Sequence, residues 1–497
     1  MNCRRMWTFA LMLLALLLSG VPAVSEAQQS SPSPSAPRDT VNAPPQAGTS
    51  ITPATAAESL LAAPTPFPGE RWSLEQTILL ALDKNAEVRV AEARTRQASG
   101  AALSGWSGII PSLSAGADYT YSKPDKNASL SSTTIDTTEV IGFSSTDQIS
   151  SLGASLTSNI ISLPAIGEKQ RRDHVRESAE HEESETRNNT VFRVKRQYFA
   201  VLKAERLALV ARETERLARD EETRAQALLD VGTSARGDLL KAKARRANTE
   251  ADRIRAENQV EIQASILRQL VGAPASQRIM PQSLLGETIV LPDSGAVLRD
   301  ALKSRPLIES ALEIEKAARS GLFGSRSQRL PQISGSIDYG RTRFQQTLEN
   351  LQGPGPLPEE VDVERYNTTW QGTVRASLPI FSGLQIEGDV RQAKGAVLEA
   401  EALRRQRELD VQVEVQQAWL LLRESIQQIA VTREGLASAE EDYKFSKGRY
   451  ELGAGTYLDL LTAEVNLANA RARLIEAVAD AHTAEAGLEF AVGAKRY

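Results

Sequence analysis

RYELGAGTYLDLLTAEVNLANA, residues 449–470, separates two long Pro-free helical patterns with a Gly-x-Gly turn and then Asp459. An echo stands earlier in the chain, AQALLDVGTSARGDLLKAKARRANT at 225–249. Gly232 matches Gly453, Asp238-Leu239-Leu240 matches Asp459-Leu460-Leu461, and Ala247-Asn248 matches Ala468-Asn469. One chain thus carries the tip of a helical hairpin twice.

Working outward, residues 168–231 hold neither Gly nor Pro. As a helix this run would be ~95 Å long at 1.5 Å per residue, so it must pack along its length against others. A return helix follows at about 236–270, closed by Val271-Gly272-Ala273. The later tip sits in the same frame: a long helix at about 384–452, a return helix at about 457–491, and Val492-Gly493-Ala494. Within the later long helix Leu398, Leu409, Leu420 and Val431 recur every eleven residues, a seam that stays nearly straight.

Upstream of each long helix the hydrophobic period changes from helical to alternating. Leu113, Ala115, Ala117, Tyr119 and Tyr121 alternate with polar or small residues after Pro111, and Pro331-Gln332-Ile333-Ser334 opens a matching run. Strands are predicted at about 112–122, 151–161, 332–342 and 368–378, with polar loops at 123–147 and 345–366. Ser73 with Gln76 has the spacing of a capping box for the first helix. The chain reads as a tandem duplication of helix, strand, loop, strand, long helix, tip, helix. The first repeat covers 71–273 and the second 294–497, joined by a Pro-containing linker at 274–293.

The N-terminus reads as a signal peptide at 1–27, with Arg4 and Arg5, an apolar run at 8–18 and Ser25-Glu26-Ala27. A Pro- and Ser-rich leader at 28–70 is predicted to be disordered. Cys3, the one cysteine, falls in the segment expected to be removed, so neither a disulfide nor a lipid-bearing Cys is expected. Aromatics at 5% and charged residues at 24% suit a helix-rich chain with thin, Ala-rich cores. A net charge of −5 lacks the basic footprint of a nucleic-acid binder. His174, His181 and His482 are the only histidines; the sequence after His181 is Glu-Glu-Ser-Glu rather than a zinc-protease signature. They are read as solvated helix positions. No enzyme activity, cofactor or metal is expected.

No apolar run is long enough for a membrane helix, so any insertion must use strands. Four strands cannot close a barrel, and an open edge is not tolerated in lipid. The chain must therefore supply staves to an oligomeric barrel, about eight strands from a dimer or twelve from a trimer. A soluble coiled-coil scaffold with two decorating hairpins is the alternative of another class.

Pro111–Ser114 before a strand, Leu-Pro-Ile-Phe-Ser-Gly at 378–383 before a long helix, and Arg-Tyr-x-x-Gly…Leu-Asp-Leu-Leu at 449–461 resemble the TolC-type outer membrane efflux proteins. The resemblance runs from about Trp72 to Ala494. It implies an α+β membrane protein: a homotrimer with a twelve-stranded β-barrel in the outer membrane lipid of a Gram-negative cell, continuous with a long periplasmic α-helical barrel. It implies a passive, gated exit duct for small molecules or metals. The expected partners are a periplasmic adaptor (membrane fusion) protein and an inner-membrane transporter. The outer-membrane component of a type I protein secretion system is the alternative within that class. The first half departs from the pattern at 160–167, where the Pro-x-Phe-x-Gly turn is lacking.

The resemblance also assigns the tips. Val231-Gly232-Thr233 and Leu452-Gly453-Ala454 correspond to the segments that meet the adaptor, and Gly permits close backbone approach there. Asp238 and Asp459 correspond to the aspartates that ring the narrow periplasmic gate, and Tyr450 to a tyrosine of the closing network. An Asp early in a helix also favours the helix dipole. Gly455 lies where an arginine is expected, and Arg236 is the substitute cation suggested by position.

Overall fold

The computed structural model describes residues 67–123, 143–232, 235–282, 289–350 and 360–493. The predicted signal peptide, nearly all of the predicted leader, Thr233 and Ala494 lie outside them.

Strand β1 (Glu70–Trp72) leads into α1 (Leu74–Lys84) and α2 (Ala86–Ser104). The hairpin strands β2 (Ser112–Ser122) and β3 (Phe143–Ile161) follow, then the helical hairpin α3 (Leu163–Asp230) and α4 (Arg236–Leu270). The second half repeats this with β4 (Ile279–Pro281), α5 (Ser294–Ser304), α6 (Pro306–Ser327), β5 (Gln332–Asn350), β6 (Glu360–Ser377), α7 (Gln385–Glu451) and α8 (Tyr457–Val492). Helix α1 starts on the expected capping box, Ser73 with Gln76.

Strands β2-β3-β5-β6 form one antiparallel sheet in that order. Its register sorts the faces. Leu113–Leu156–Ile337–Gly372 and Ala115–Ala154–Tyr339–Trp370 run across one face. Ser114–Ser155–Asp338–Gln371 and Gly116–Gly153–Gly340–Thr369 run across the other. Tyr119, Arg343 and Tyr366 continue the apolar face toward the loop end, where Arg341 and Arg343 lie over the Tyr366 ring. An apolar band edged by aromatics on one face, with polar rows behind it, is the pattern of a barrel wall.

Three strands are longer than predicted, because polar residues read as loop still pair across the sheet. Thr347 Oγ1 donates to Asp362 Oδ1 at 2.7 Å, and Arg343 pairs with Glu364. The ladder thus runs past the apolar band.

The long helices span 68 and 67 residues, ~100 Å each at 1.5 Å per residue. Helix α3 begins at Leu163, earlier than the Gly- and Pro-free run. Ser162 caps it, and Pro164 occupies the first turn, where a missing N–H costs nothing. The second strand-to-helix passage instead turns through left-handed backbone at Gly383 (φ 63°) and Leu384 (φ 69°).

Helix α3 lies against α2, α4, α6 and α8; α7 lies against α5, α6 and α8. The main core gathers Val194, Tyr198, Val201 and Leu202 of α3, Val260 and Leu267 of α4, and Leu474, Ile475 and Val478 of α8. A second cluster joins Val297 and Ala301 of α5 to Val411, Val415 and Leu422 of α7. The short parallel pair β1–β4, too brief to show in the sequence, joins the start of the first repeat to the inter-repeat linker beside α3. Tyr198 Oη donates to Trp72 O at 3.0 Å and accepts from Gln282 N at 3.1 Å. Arg71 meets the fully buried Glu205 at 2.9 Å. On α7 the eleven-residue seam, Leu398, Leu409, Leu420 and Val431, stays exposed. No helix among the described residues is long and apolar enough to cross a membrane.

Candidate functional site: the hairpin tips

Each long helix stops where a glycine takes a left-handed conformation, Gly232 at φ 75° and Gly453 at φ 72°. At the second tip, Gly453 N donates to Tyr450 O at 3.1 Å and Ala454 N to Arg449 O at 2.8 Å. This paired closure is the Schellman motif, which satisfies the last carbonyls of a helix. Gly232 N makes the corresponding bond to Leu229 O at 2.9 Å. The flanking apolar residues point outward: Val231 is 71% exposed and Leu452 86% exposed.

The two return helices start differently. Thr456 and Asp459 form a full capping box: Asp459 N donates to Thr456 Oγ1 at 3.2 Å and Thr456 N to Asp459 Oδ2 at 3.1 Å. Those bonds, aided by the Arg449 charge, hold the Asp459 carboxyl below its ordinary pKa. Ala235 offers α4 no side-chain cap. The Asp238 carboxylate, at the position equivalent to Asp459, instead lies 3.3 Å from Lys241 Nζ.

Between the tips lies an open cleft of about 820 Å³. Asp238, Lys241, Arg224, Tyr450, Gly453 and Tyr457 all reach it. The structure thus brings together Asp238, Tyr450 and Gly453 of the predicted residues, while Asp459, bonded to its own helix start, is not among the lining residues. Arg236 is exposed and also outside the lining. The cations that do line the cleft are Arg224 and Lys241. Arg224 of α3 comes within 3.8 Å of Glu451 of α7, so it ties one hairpin to the other. At 455, where an arginine is expected, there is little room for a side chain. A Cβ on Gly455 would already lie 3.1 Å from Arg449 Cβ, and Arg449 Nη2 donates to Ala454 O at 3.1 Å.

Behind the cleft an acidic pair sits where the hairpins pack. Glu464 of α8 is 9% exposed, in a buried row with Leu460, Ala463 and Leu467. Burial, then the nearby Glu221 of α3, push its carboxyl up to about 7, against the opposing charges of Arg245 and Lys447. Glu221 is raised as well, chiefly by burial. The Tyr457 hydroxyl is pushed up to about 12 by burial, then by Glu221 and Glu464. Tyr450, its ring centroid 6.0 Å from that of Tyr457, is raised by burial and by Glu221. A charge breaking an apolar i, i+3, i+4, i+7 row was the signal for Glu464 in the sequence.

The histidines correct the sequence reading. His174 and His181 are half-buried and face carboxylates of α6 rather than solvent alone: Glu313 at 2.8 Å and Glu309 at 3.0 Å. His482 stacks on Phe199 with centroids 4.7 Å apart.

The chain matches the family model for outer membrane efflux proteins at residues 77–273 and 297–494. It is 28% identical to the outer membrane efflux protein BepC of Brucella suis over 312 residues, 61% of this chain and 63% of BepC. It thus spans just under two-thirds of that relative's length. It is 24% identical to the outer membrane protein TolC of Vibrio cholerae over 324 residues, 64% of this chain and 70% of TolC. The fold is that of the Campylobacter jejuni CmeC outer membrane channel, with a TM-score of 0.69 at 19% identity, covering 92% of this chain and 94% of that one. Both halves of the duplication are matched, and the chain belongs to the outer membrane efflux protein family, TolC-type proteins of the outer membrane that reach into the periplasm.

Proposed function

We propose that the protein is the passive, gated exit duct of a tripartite efflux system. Three copies, each giving four strands, close a twelve-stranded barrel, and the helical hairpins of the three form a tunnel through the periplasm. The observation that carries this reading is the incomplete sheet. Among the described residues β2 and β6 each pair on one side only, and lipid does not tolerate an unpaired strand edge. The exposed seam of α7 supports it as the surface a neighbouring copy covers.

At the periplasmic mouth, Val231, Gly232, Leu452 and Gly453 offer exposed apolar side chains and bare backbone to an adaptor hairpin, with Thr233 and Ala454 completing the two segments. The adaptor in turn joins an inner-membrane transporter, which supplies the energy. Asp238 provides the gate charge, and Tyr450 and Arg224 hold the hairpins together around it. Asp459 contributes a second, weaker negative ring, because its carboxylate serves the capping box.

Purified protein in planar bilayers tests this. A heat-sensitive, SDS-resistant trimer that conducts ions is expected, with cation preference lowered several-fold by Asp238→Asn and under twofold by Asp459→Asn. A monomer that forms no channels would sink the duct. Channels whose selectivity ignores Asp238 would sink the gate alone.

A further inference from the structure

Close to the sheet, α3 and α6 approach so tightly that a Cβ on Gly167 would lie 2.8 Å from Gly324 Cα. Three potential ligands converge farther along the same pair of helices. His174 and Glu177 stand one turn apart on α3, and Glu313 faces them from α6. His174 Nδ1 lies 2.8 Å from Glu313 Oε2 and 3.5 Å from Glu177 Oε2. All three ligand atoms fall within 4.8 Å of one another, and Glu313 is 7% exposed. Lys316 Nζ bonds Glu313 Oε1 at 2.7 Å and Arg176 Nη2 bonds Glu177 Oε1 at 3.3 Å, which leaves the Oε2 atom of each carboxylate turned toward the imidazole.

We propose that His174, Glu177 and Glu313 form a three-ligand site for a divalent transition-metal ion of the Zn²⁺ type, with water in the fourth position, which clamps α3 to α6 below the sheet. Tetrahedral zinc, with bonds of about 2.0–2.2 Å, sets its ligand atoms about 3.3–3.6 Å apart. The observed 2.8 and 3.5 Å lie on either side of the start of that range. Glu313 Oε1, the oxygen not facing His174, accepts from Lys316 Nζ at 2.7 Å. Such an outer bond fixes the orientation of a ligating carboxylate. The imidazole selects against Mg²⁺ and Ca²⁺, which favour all-oxygen shells. His181, two turns along α3, meets Glu309 at 3.0 Å, and among the described residues no third ligand joins them. It is the internal control. The site does not depend on the duct reading.

Full-length protein in detergent, stripped with a chelator, is titrated with Zn²⁺ alone by calorimetry. One ion per chain is expected, with affinity weakened at least tenfold by His174→Ala, Glu313→Gln or Glu177→Gln, and less than twofold by His181→Ala. A large excess of Mg²⁺ should leave binding intact, and Zn²⁺ should raise the melting temperature of the wild type but not of Glu177→Gln. Should Glu313→Gln fail to fold, the half-exposed Glu177→Gln carries the same test. No uptake by the wild type, or affinity unchanged in His174→Ala and Glu177→Gln, would overturn the site and leave the pairs as ordinary His–Glu contacts.

Discussion

The two hairpin tips carry nearly the same letters and use them differently. Both long helices end on a left-handed glycine, so the backbone turn is shared. Past it, Thr456 draws Asp459 into a capping box, whereas Ala235 leaves Asp238 facing a cleft with Lys241. Equivalent positions in a duplicated chain therefore do not hold equivalent roles. One N-cap residue decides which aspartate serves the helix start and which faces the cleft.

The largest effect belongs to the contact between the hairpins. Glu464 has its carboxyl pushed up to about 7 from the ordinary 4.5, with Glu221 nearby on the other hairpin. The folded chain holds this proton more tightly than the unfolded chain does. The stability it contributes is therefore complete below about pH 4.5 and is lost as pH rises through about 7. Glu464→Gln should remove that decline and stabilise the protein at pH 8 by about 2–3 kcal/mol, with little change at pH 4.5. Urea unfolding at the two pH values reads this directly. An equal shift at both would show that packing, not charge, separates the variants.

A shared backbone turn predicts equal penalties at the two tips. Among the described residues, no atom beyond the chain neighbours lies within 4 Å of a Cβ built on Gly232 or Gly453, so alanine meets no steric obstacle from them. The cost is conformational, about 1–2 kcal/mol for a residue forced into the left-handed region. Gly232→Ala and Gly453→Ala should destabilise alike by chemical denaturation. A difference above about 1 kcal/mol would mean that the two turns are not alike.

Much of this was legible in the sequence. Period changes located the strands and helices, and the repeated Gly…Asp-Leu-Leu located both tips. What escaped depends on which element faces which. Polar stretches at 143–150 and 343–350 resemble loop until their cross-strand partners are known. Glu313 cannot be matched to His174 without the register of α6 on α3, which no local pattern encodes. Arg224 reads as a solvated helix residue until the other hairpin brings Glu451 within 3.8 Å. Asp238 and Asp459 looked interchangeable because the deciding letters, Ala235 and Thr456, sit three residues before them.

That last contrast supplies the smallest and most selective prediction. In α8 the N-cap Thr456 and the third helical residue Asp459 satisfy one another; in α4 the same spacing runs from Ala235 to Asp238. Ala235→Thr rebuilds the missing box. It should stabilise the chain by up to about 1 kcal/mol, and Thr456→Ala should cost a similar amount. The stability change is minor, but the carboxylate it recruits is the proposed gate charge. If the N-cap governs the division of labour, Ala235→Thr draws Asp238 onto its own backbone and lowers cation preference toward that of Asp238→Asn, with the aspartate still present. Thr456→Ala, by releasing Asp459, should raise cation preference modestly. Selectivity that follows neither substitution, while stability follows both, would show that the two aspartates act on ions independently of how their helices are capped.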